Sequence, residues 1–193
     1  MDRLEIRILN AEKSDAALIG EVVVTAIGDE LARSFAGEKT VEDVKRLFTR
    51  LAAREDSQYS YRNSLKAVDE TGTPMGFAVG YDGALLHPLR KAFFEEVRLV
   101  FERDMDGKVD DECEAGEFYL DSLAVFPAYR GKGVARALIQ AMAQRGLQIG
   151  KPLGLLCDKT NATARRLYDA LGFQQVGEAP FAGELMAHLQ IRK

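Results

Sequence analysis

The chain has 193 residues, 47% of them hydrophobic and 29% charged, with a formal net charge of −4. That length suits one domain, expected over residues 1–193, with one buried core, and the composition excludes a disordered chain. The acidic balance argues against nucleic acid as a partner, no apolar run nears the roughly 18 residues of a membrane span, and Met1-Asp2-Arg3-Leu4-Glu5 lacks the pattern of a signal peptide, so a soluble cytoplasmic protein with no membrane partner is expected.

In chain order, Leu4, Ile6 and Ile8 alternate with Glu5 and Arg7, which predicts a first strand over Leu4 to Leu9. Ser14-Asp15 supplies an N-cap for a helix running to about Ile27. Thr40 and Asp43 form a capping-box pattern ahead of Val41, Val44, Leu47, Phe48 and Leu51, whose three-and-four spacing predicts a second helix. Tyr59, Tyr61 and Arg62 follow in a polar segment, read either as loop packing or as the lining of a binding pocket.

Ser64 to Val68 and Met75 to Tyr81 read as two strands joined through Gly72 and Pro74. Leu89, Phe93, Val97, Val100 and Phe101 form a helical stripe. Asp104-Met105-Asp106-Gly107-Lys108 is not a calcium loop, because Lys108 takes a ligand position and Val109 stands where glycine is required. Cys113, Cys157, His87 and His188 show no ligand spacing, so no metal is expected. From Glu95 to Asp121 there are eleven acidic residues against Arg98, Arg103 and Lys108, a net of −8.

Leu120 to Phe126 is an apolar run that stops at Pro127. A basic, glycine-containing turn follows, and helical spacing resumes at Val134, Leu138 and Met142. This strand, loop and helix put the turn at a helix N-terminus, where unpaired N–H groups and the positive end of the macrodipole suit an anion. Arg130, Lys132 and Arg136 add three positive charges, and Gly131 and Gly133 permit close backbone approach. The P-loop spacing fails, with no hydroxyl after Lys132. The dinucleotide pattern fails as well, since Arg136 stands where Gly or Ala belongs. The new helix ends near Gly150, Leu153 to Cys157 is a short strand, and Ala162 to Leu171 is a helix capped by Thr160 or Asn161 and stopped by Gly172. Phe173 to Val176 and Leu185 to Ile191 read as the last strands.

Arg130, Gly133 and Ala135, read as Arg-x-x-Gly-x-Ala, resemble the acetyl-coenzyme A pyrophosphate loop of the GNAT N-acetyltransferase superfamily. Asn161, Ala164 and Tyr168, followed by Gly172-Phe173, resemble its downstream segment, and seven residues of helix return Asn161 and Tyr168 to nearly the same face. The resemblance is specific from Phe118 to Val176. It implies an α/β (α+β) fold with a mixed, splayed sheet of about seven strands. Acetyl-coenzyme A would enter as co-substrate, held by Arg130, Gly131, Lys132, Gly133, Val134, Ala135, Arg136 and Asn161. Backbone groups of Leu123, Ala124 and Val125 would pair with the pantetheine arm.

The implied activity is acetyl transfer to a primary amine, with Tyr168 as general acid. Asp121 and Glu117, placed with Tyr119 on one strand face by period-two alternation, are the candidate bases, Asp121 preferred. The acidic stretch points to a small cationic acceptor such as a polyamine or aminoglycoside. Two alternatives stand beside this reading: a non-catalytic acyl-coenzyme A binding module, and an acetyltransferase of a protein N-terminus or lysine. The oligomeric state stays open, a homodimer among the options.

Overall fold

The computed structural model describes residues 4–191, so the reading of Met1 to Arg3 lies outside the described residues. In chain order the strands are β1 (Arg7–Asn10), β2 (Ser64–Val68), β3 (Pro74–Asp82), β4 (Phe118–Val125), β5 (Leu153–Cys157), β6 (Gln174–Phe181) and β7 (Glu184–Ile191). The helices are α1 (Ala16–Ile27), α2 (Asp29–Ala36), α3 (Val41–Ala52), α4 (Leu86–Phe101), α5 (Val134–Gln148) and α6 (Ala162–Leu171). The strands form one mixed sheet of order β1-β2-β3-β4-β5-β7-β6, in which β4 and β5 are the parallel neighbours. This is the splayed α/β architecture that the resemblance implied.

Period-two alternation divides the core between the two faces of the sheet. Phe77 and Val79 of β3 face a cluster built from α1, α3 and α4, while Ala78 between them faces a cluster built from α5, β5 and β7. Thr40 closes α3 with the reciprocal capping box its sequence predicts: its hydroxyl accepts from the Asp43 N–H at 3.2 Å while Asp43 accepts from the Thr40 N–H at 2.9 Å.

Three expectations change. The ladder of β1 starts only at Arg7, although Leu4, Ile6 and Ile8 do pack together on the core. Asp15 does not cap α1. A short 3₁₀ turn precedes that helix, and the Asp15 carboxylate turns back to the Glu12 N–H and to the Lys66 ammonium. Finally, α2 is an additional helix of eight residues, separated from α1 by Gly28 at φ 82° and ended by Gly37.

Candidate active site

The parallel neighbours β4 and β5 pair only at Phe118 with Leu153 and Tyr119 with Gly154. Beyond that point β4 continues to Val125 bonded to β3 on one side, and β5 continues to Cys157 bonded to β7 on the other, so the sheet opens between them. Backbone groups of Leu123, Ala124 and Val125 therefore lie on a strand edge that β5 leaves uncovered.

The chain leaves this opening through a 3₁₀ turn, Pro127–Tyr129, and Arg130 folds back to donate from Nε to the Val125 carbonyl at 3.0 Å. Gly131 at φ 73° and Gly133 at φ 90° take left-handed backbone conformations that a side chain would strain. The first N–H of the region to reach a carbonyl is that of Ala137, on Gly133. Among the described residues the six N–H groups of 131–136 donate to no protein acceptor. An ordinary helix end leaves four such groups. The first turn of α5 holds no acidic residue, and Lys132 and Arg136 stand beside it. The loop has the dipole and the charge that an anion cradle needs.

Asp121 owes its position to an irregularity in β4. Val79 pairs with Ser122 but the next residue, Gly80, pairs with Leu120, so Asp121 is an extra residue in the ladder. Alternation slips there: Phe118 and Leu120 face the α5 side, and the next residues to do so are Leu123 and Val125. The bulge turns Asp121 toward Gln58 and Tyr81. Its Oδ2 accepts from Gln58 Nε2 at 3.3 Å and from the Tyr81 hydroxyl at 3.4 Å, and Oδ1 accepts from Ser122 at 2.8 Å. The same two donors serve Glu112, at 3.1 Å from Gln58 and 3.2 Å from Tyr81. Tyr81 has one proton for two carboxylates. Burial, with the Glu112 charge added to it, pushes the Asp121 carboxyl up to about 7. Glu112 is itself held by buried Arg90, which also donates to Asp111 at 2.8 Å.

Tyr168 lies on α6 with its ring tilted against Phe173, centroids 5.4 Å apart, and packs on the same cluster as Leu123, Val125 and Tyr129. Its phenol makes no hydrogen bond among the described residues, and burial, with Cys157 nearby, pushes it up to about 12. Asn161 and Tyr168 are not both helical residues, contrary to what their seven-residue spacing predicts. Asn161 is the N-cap of α6, outside helical geometry, and its Oδ1 accepts from the Ala164 N–H at 3.0 Å. Only its Nδ2 remains to be offered elsewhere.

Glu117 departs from its expected place beside Asp121. It is fully buried just before β4, where Oε2 bonds His188 Nε2 at 2.8 Å and Gln190 Nε2 at 2.9 Å, and Oε1 accepts from the Glu114 N–H. A Cβ on Gly154 would sit 1.6 Å from Glu117 Oε2, so the carboxylate occupies the space that glycine leaves. The partners of Oε2 lie on β7, and Glu117 shares no partner with Asp121 among the described residues. It ties the closed end of the sheet together, and its hydrogen bond to His188, with its charge added, raises the imidazole above its ordinary value. A hollow of about 680 Å³ opens beside His188 and Lys151, at the end where β4 and β5 are still paired and away from the loop.

The acidic stretch is also less charged than its linear count. Arg54 and Arg50 pair with Glu95 and Glu96, Arg98 with Asp104, and Arg90 with Asp111 and Glu112. Three of these arginines come from outside the stretch, so counting them with it lowers its net charge from −8 to −5.

Sequence reasoning missed Gln58, Tyr81, Glu112 and Arg90, none of which carries a local pattern. It did single out Tyr59, whose ring packs on Phe48 at 4.8 Å between centroids and lines a cavity of about 290 Å³ that Gln58, Arg90 and Glu112 also border. Tyr61 and Arg62 instead pair with exposed Glu55. Among the described residues no group of three or more His, Cys, Asp or Glu could hold a metal ion, and no helix is long and apolar enough to cross a membrane.

A family model described as the acetyltransferase (GNAT) family matches residues 24–173. The chain is 29% identical over 102 residues, 48% of its length and 67% of the relative's, to a spermine/spermidine N(1)-acetyltransferase of Bacillus subtilis strain 168. An acetyltransferase crystal structure superposes with a TM-score of 0.76 at 26% identity, covering 95% of this chain and 97% of that one. An N-acetyltransferase from Staphylococcus aureus Mu50 superposes with a TM-score of 0.79 at 20% identity, covering 96% and 100%. A Salmonella typhimurium protein solved with its cofactor acetyl-CoA superposes with a TM-score of 0.57 at 21% identity, covering 96% and 92%.

Proposed function

Because the chain belongs to the GNAT acetyltransferase family, we propose that it moves an acetyl group from acetyl-coenzyme A to a small primary amine, with Asp121 as general base and Tyr168 as general acid. The observation that carries the reading is the run of six N–H groups at 131–136 that have no acceptor among the described residues, set at the mouth of the opening between β4 and β5. Those groups, with Arg130, Lys132 and Arg136, suit a diphosphate, and the strand edge at Leu123, Ala124 and Val125, which β5 leaves uncovered although the Val125 carbonyl accepts from Arg130, suits an extended amide-bearing arm. The donor set therefore fits the co-substrate. The relative named for spermine and spermidine supports an amine acceptor.

The chemistry needs a neutral amine. An alkylammonium loses its proton near 10.4, so transfer to an ordinary carboxylate near 3.9 is uphill by about 9 kcal/mol. With Asp121 at about 7 the same transfer is uphill by about 5 kcal/mol. Burial next to Glu112 thus makes Asp121 a usable base. The amine lone pair then attacks the thioester carbonyl carbon, the C–S bond breaks, and the thiolate takes a proton from Tyr168. With the phenol at about 12 and a thiol near 8.5, that donation alone is uphill by about 5 kcal/mol. The second proton on the acylated nitrogen must therefore return to the phenolate in the same step, leaving the amide, free coenzyme A and Tyr168 as it began.

Detection of free thiol on adding amines to the protein with acetyl-coenzyme A tests the reading. Amine-dependent release is expected. Acetyl-coenzyme A binding without release for any amine would leave a binding module.

A further inference from the structure

Resting on the acetyltransferase reading, we infer that the 290 Å³ cavity bordered by Gln58 and Tyr59 takes a primary amine with a single charge and an apolar body, such as an arylalkylamine, rather than a polyamine. At about 30 Å³ per water the space holds roughly ten non-hydrogen atoms. That admits either class, so the lining decides.

Most of the wall is apolar. Phe35, Phe48, Tyr59 and Phe93 form a connected aromatic set, with centroid separations from 4.8 to 6.4 Å. The charged groups on the wall are Arg90 and Lys108 against Asp110 and Glu112, an even balance, and Arg90 is already bound to Asp111 and Glu112. A polyamine would bring several ammonium groups to a wall with no surplus of carboxylates, and each unpaired charge held there would lose its hydration uncompensated. An aromatic or aliphatic body instead finds apolar contacts along its length.

Gln58, which borders the cavity, carries a polar atom without a partner among the described residues. Gln58 is 2% exposed, its amide nitrogen is committed to Asp121 and Glu112, and its Oε1 is a buried side-chain atom with no hydrogen-bond partner among the described residues. The amide cannot be reversed without turning an oxygen toward two carboxylates. A carbonyl left unpaired in this way is costly, and a small shift of the side chain toward the cavity would let an amine N–H satisfy it. The same side chain touches Asp121, so an amine bonded to Gln58 is next to its base.

Calorimetric titration of 2-phenylethylamine and of spermidine into the full chain tests the assignment without relying on turnover. We expect 2-phenylethylamine to bind at least tenfold more tightly. Leu31→Glu, which sets a carboxylate in a partly exposed position of the wall, is expected to reverse that order. Equal or tighter binding of spermidine by the unsubstituted chain, or binding of neither amine, overturns the inference. Thiol release measured on the same amines separates the two readings: acetylation of spermidine with exclusion of 2-phenylethylamine sinks the cavity assignment alone, whereas selective binding of 2-phenylethylamine without any acetylation sinks the acetyltransferase reading alone.

Discussion

Replacing Glu112 with Gln should move the pH dependence of the reaction toward acid. Asp121 Oδ2 and Glu112 Oε1 each lie within 3.4 Å of the Tyr81 hydroxyl, so the two oxygens are less than about 7 Å apart. At that separation and an effective dielectric of about 20, two like charges repel by about 2.4 kcal/mol, or about 1.7 pKa units. Arg90, no longer neutralised by Glu112 but still held by Asp111, pulls the same way. In Glu112→Gln the Asp121 carboxyl should therefore fall from about 7 to about 5. The assay is kcat/KM for an accepted amine against pH, followed by thiol release. The ascending limb should shift down by about two pH units, well clear of the amine's own ionisation near 10. The plateau should also drop, because a weaker base takes the ammonium proton less readily. An ascending limb that stays near 7, or moves up, would refute the coupling of Glu112 to a catalytic Asp121.

Other substitutions check the remaining parts. Asp121→Asn should abolish most activity yet raise stability. A folded carboxyl titrating near 7 binds more protons than the unfolded one between about pH 4 and 7, so wild-type stability falls as pH rises through that window. The shift corresponds to a ceiling of about 4 kcal/mol. Since Asp121 keeps part of its surface exposed, roughly half should appear as a gain in urea denaturation at pH 8, and a loss there would contradict the assigned cost. Tyr168→Phe should leave acetyl-coenzyme A binding and melting temperature unchanged, since the hydroxyl has no protein partner among the described residues, while kcat falls about 10²–10³-fold. An unchanged kcat would reduce Tyr168 to packing. Gly133→Asp should weaken acetyl-coenzyme A in calorimetry far more than Lys132→Ala, because the first strains a backbone at φ 90° and sets a negative charge on the cradle while the second removes one exposed charge. Equal losses would mean that the loop binds by side-chain charge alone.

Where the chemistry is local, the sequence alone was enough. Arg130 to Arg136 between an apolar run and a helical stripe, the Thr40–Asp43 box, and the short segments Leu153–Cys157 and Ala162–Leu171 all fold where their patterns place them. Each depends on backbone groups and side chains within a few residues of one another. The two-turn α2 escaped because eight residues carry too little periodicity to stand out. Tertiary structure decided the rest of the site. The extra residue at Asp121 cannot be seen in a strand whose alternation looks unbroken until β3 lies beside it. Its proton affinity is raised by burial and by the Glu112 charge and lowered by hydrogen bonds from Gln58 and Tyr81, 63 and 40 residues away in the chain. Glu117 and Asp121 look alike as carboxylates four residues apart, but packing ties one to His188 in the closed end of the sheet and the other to Gln58 at the cavity wall. The charge of the acidic stretch is likewise set by Arg50, Arg54 and Arg90, which sequence order keeps apart from it. A carboxylate's chemistry depends on burial and on what lies within a few ångströms, and only the folded chain establishes those distances.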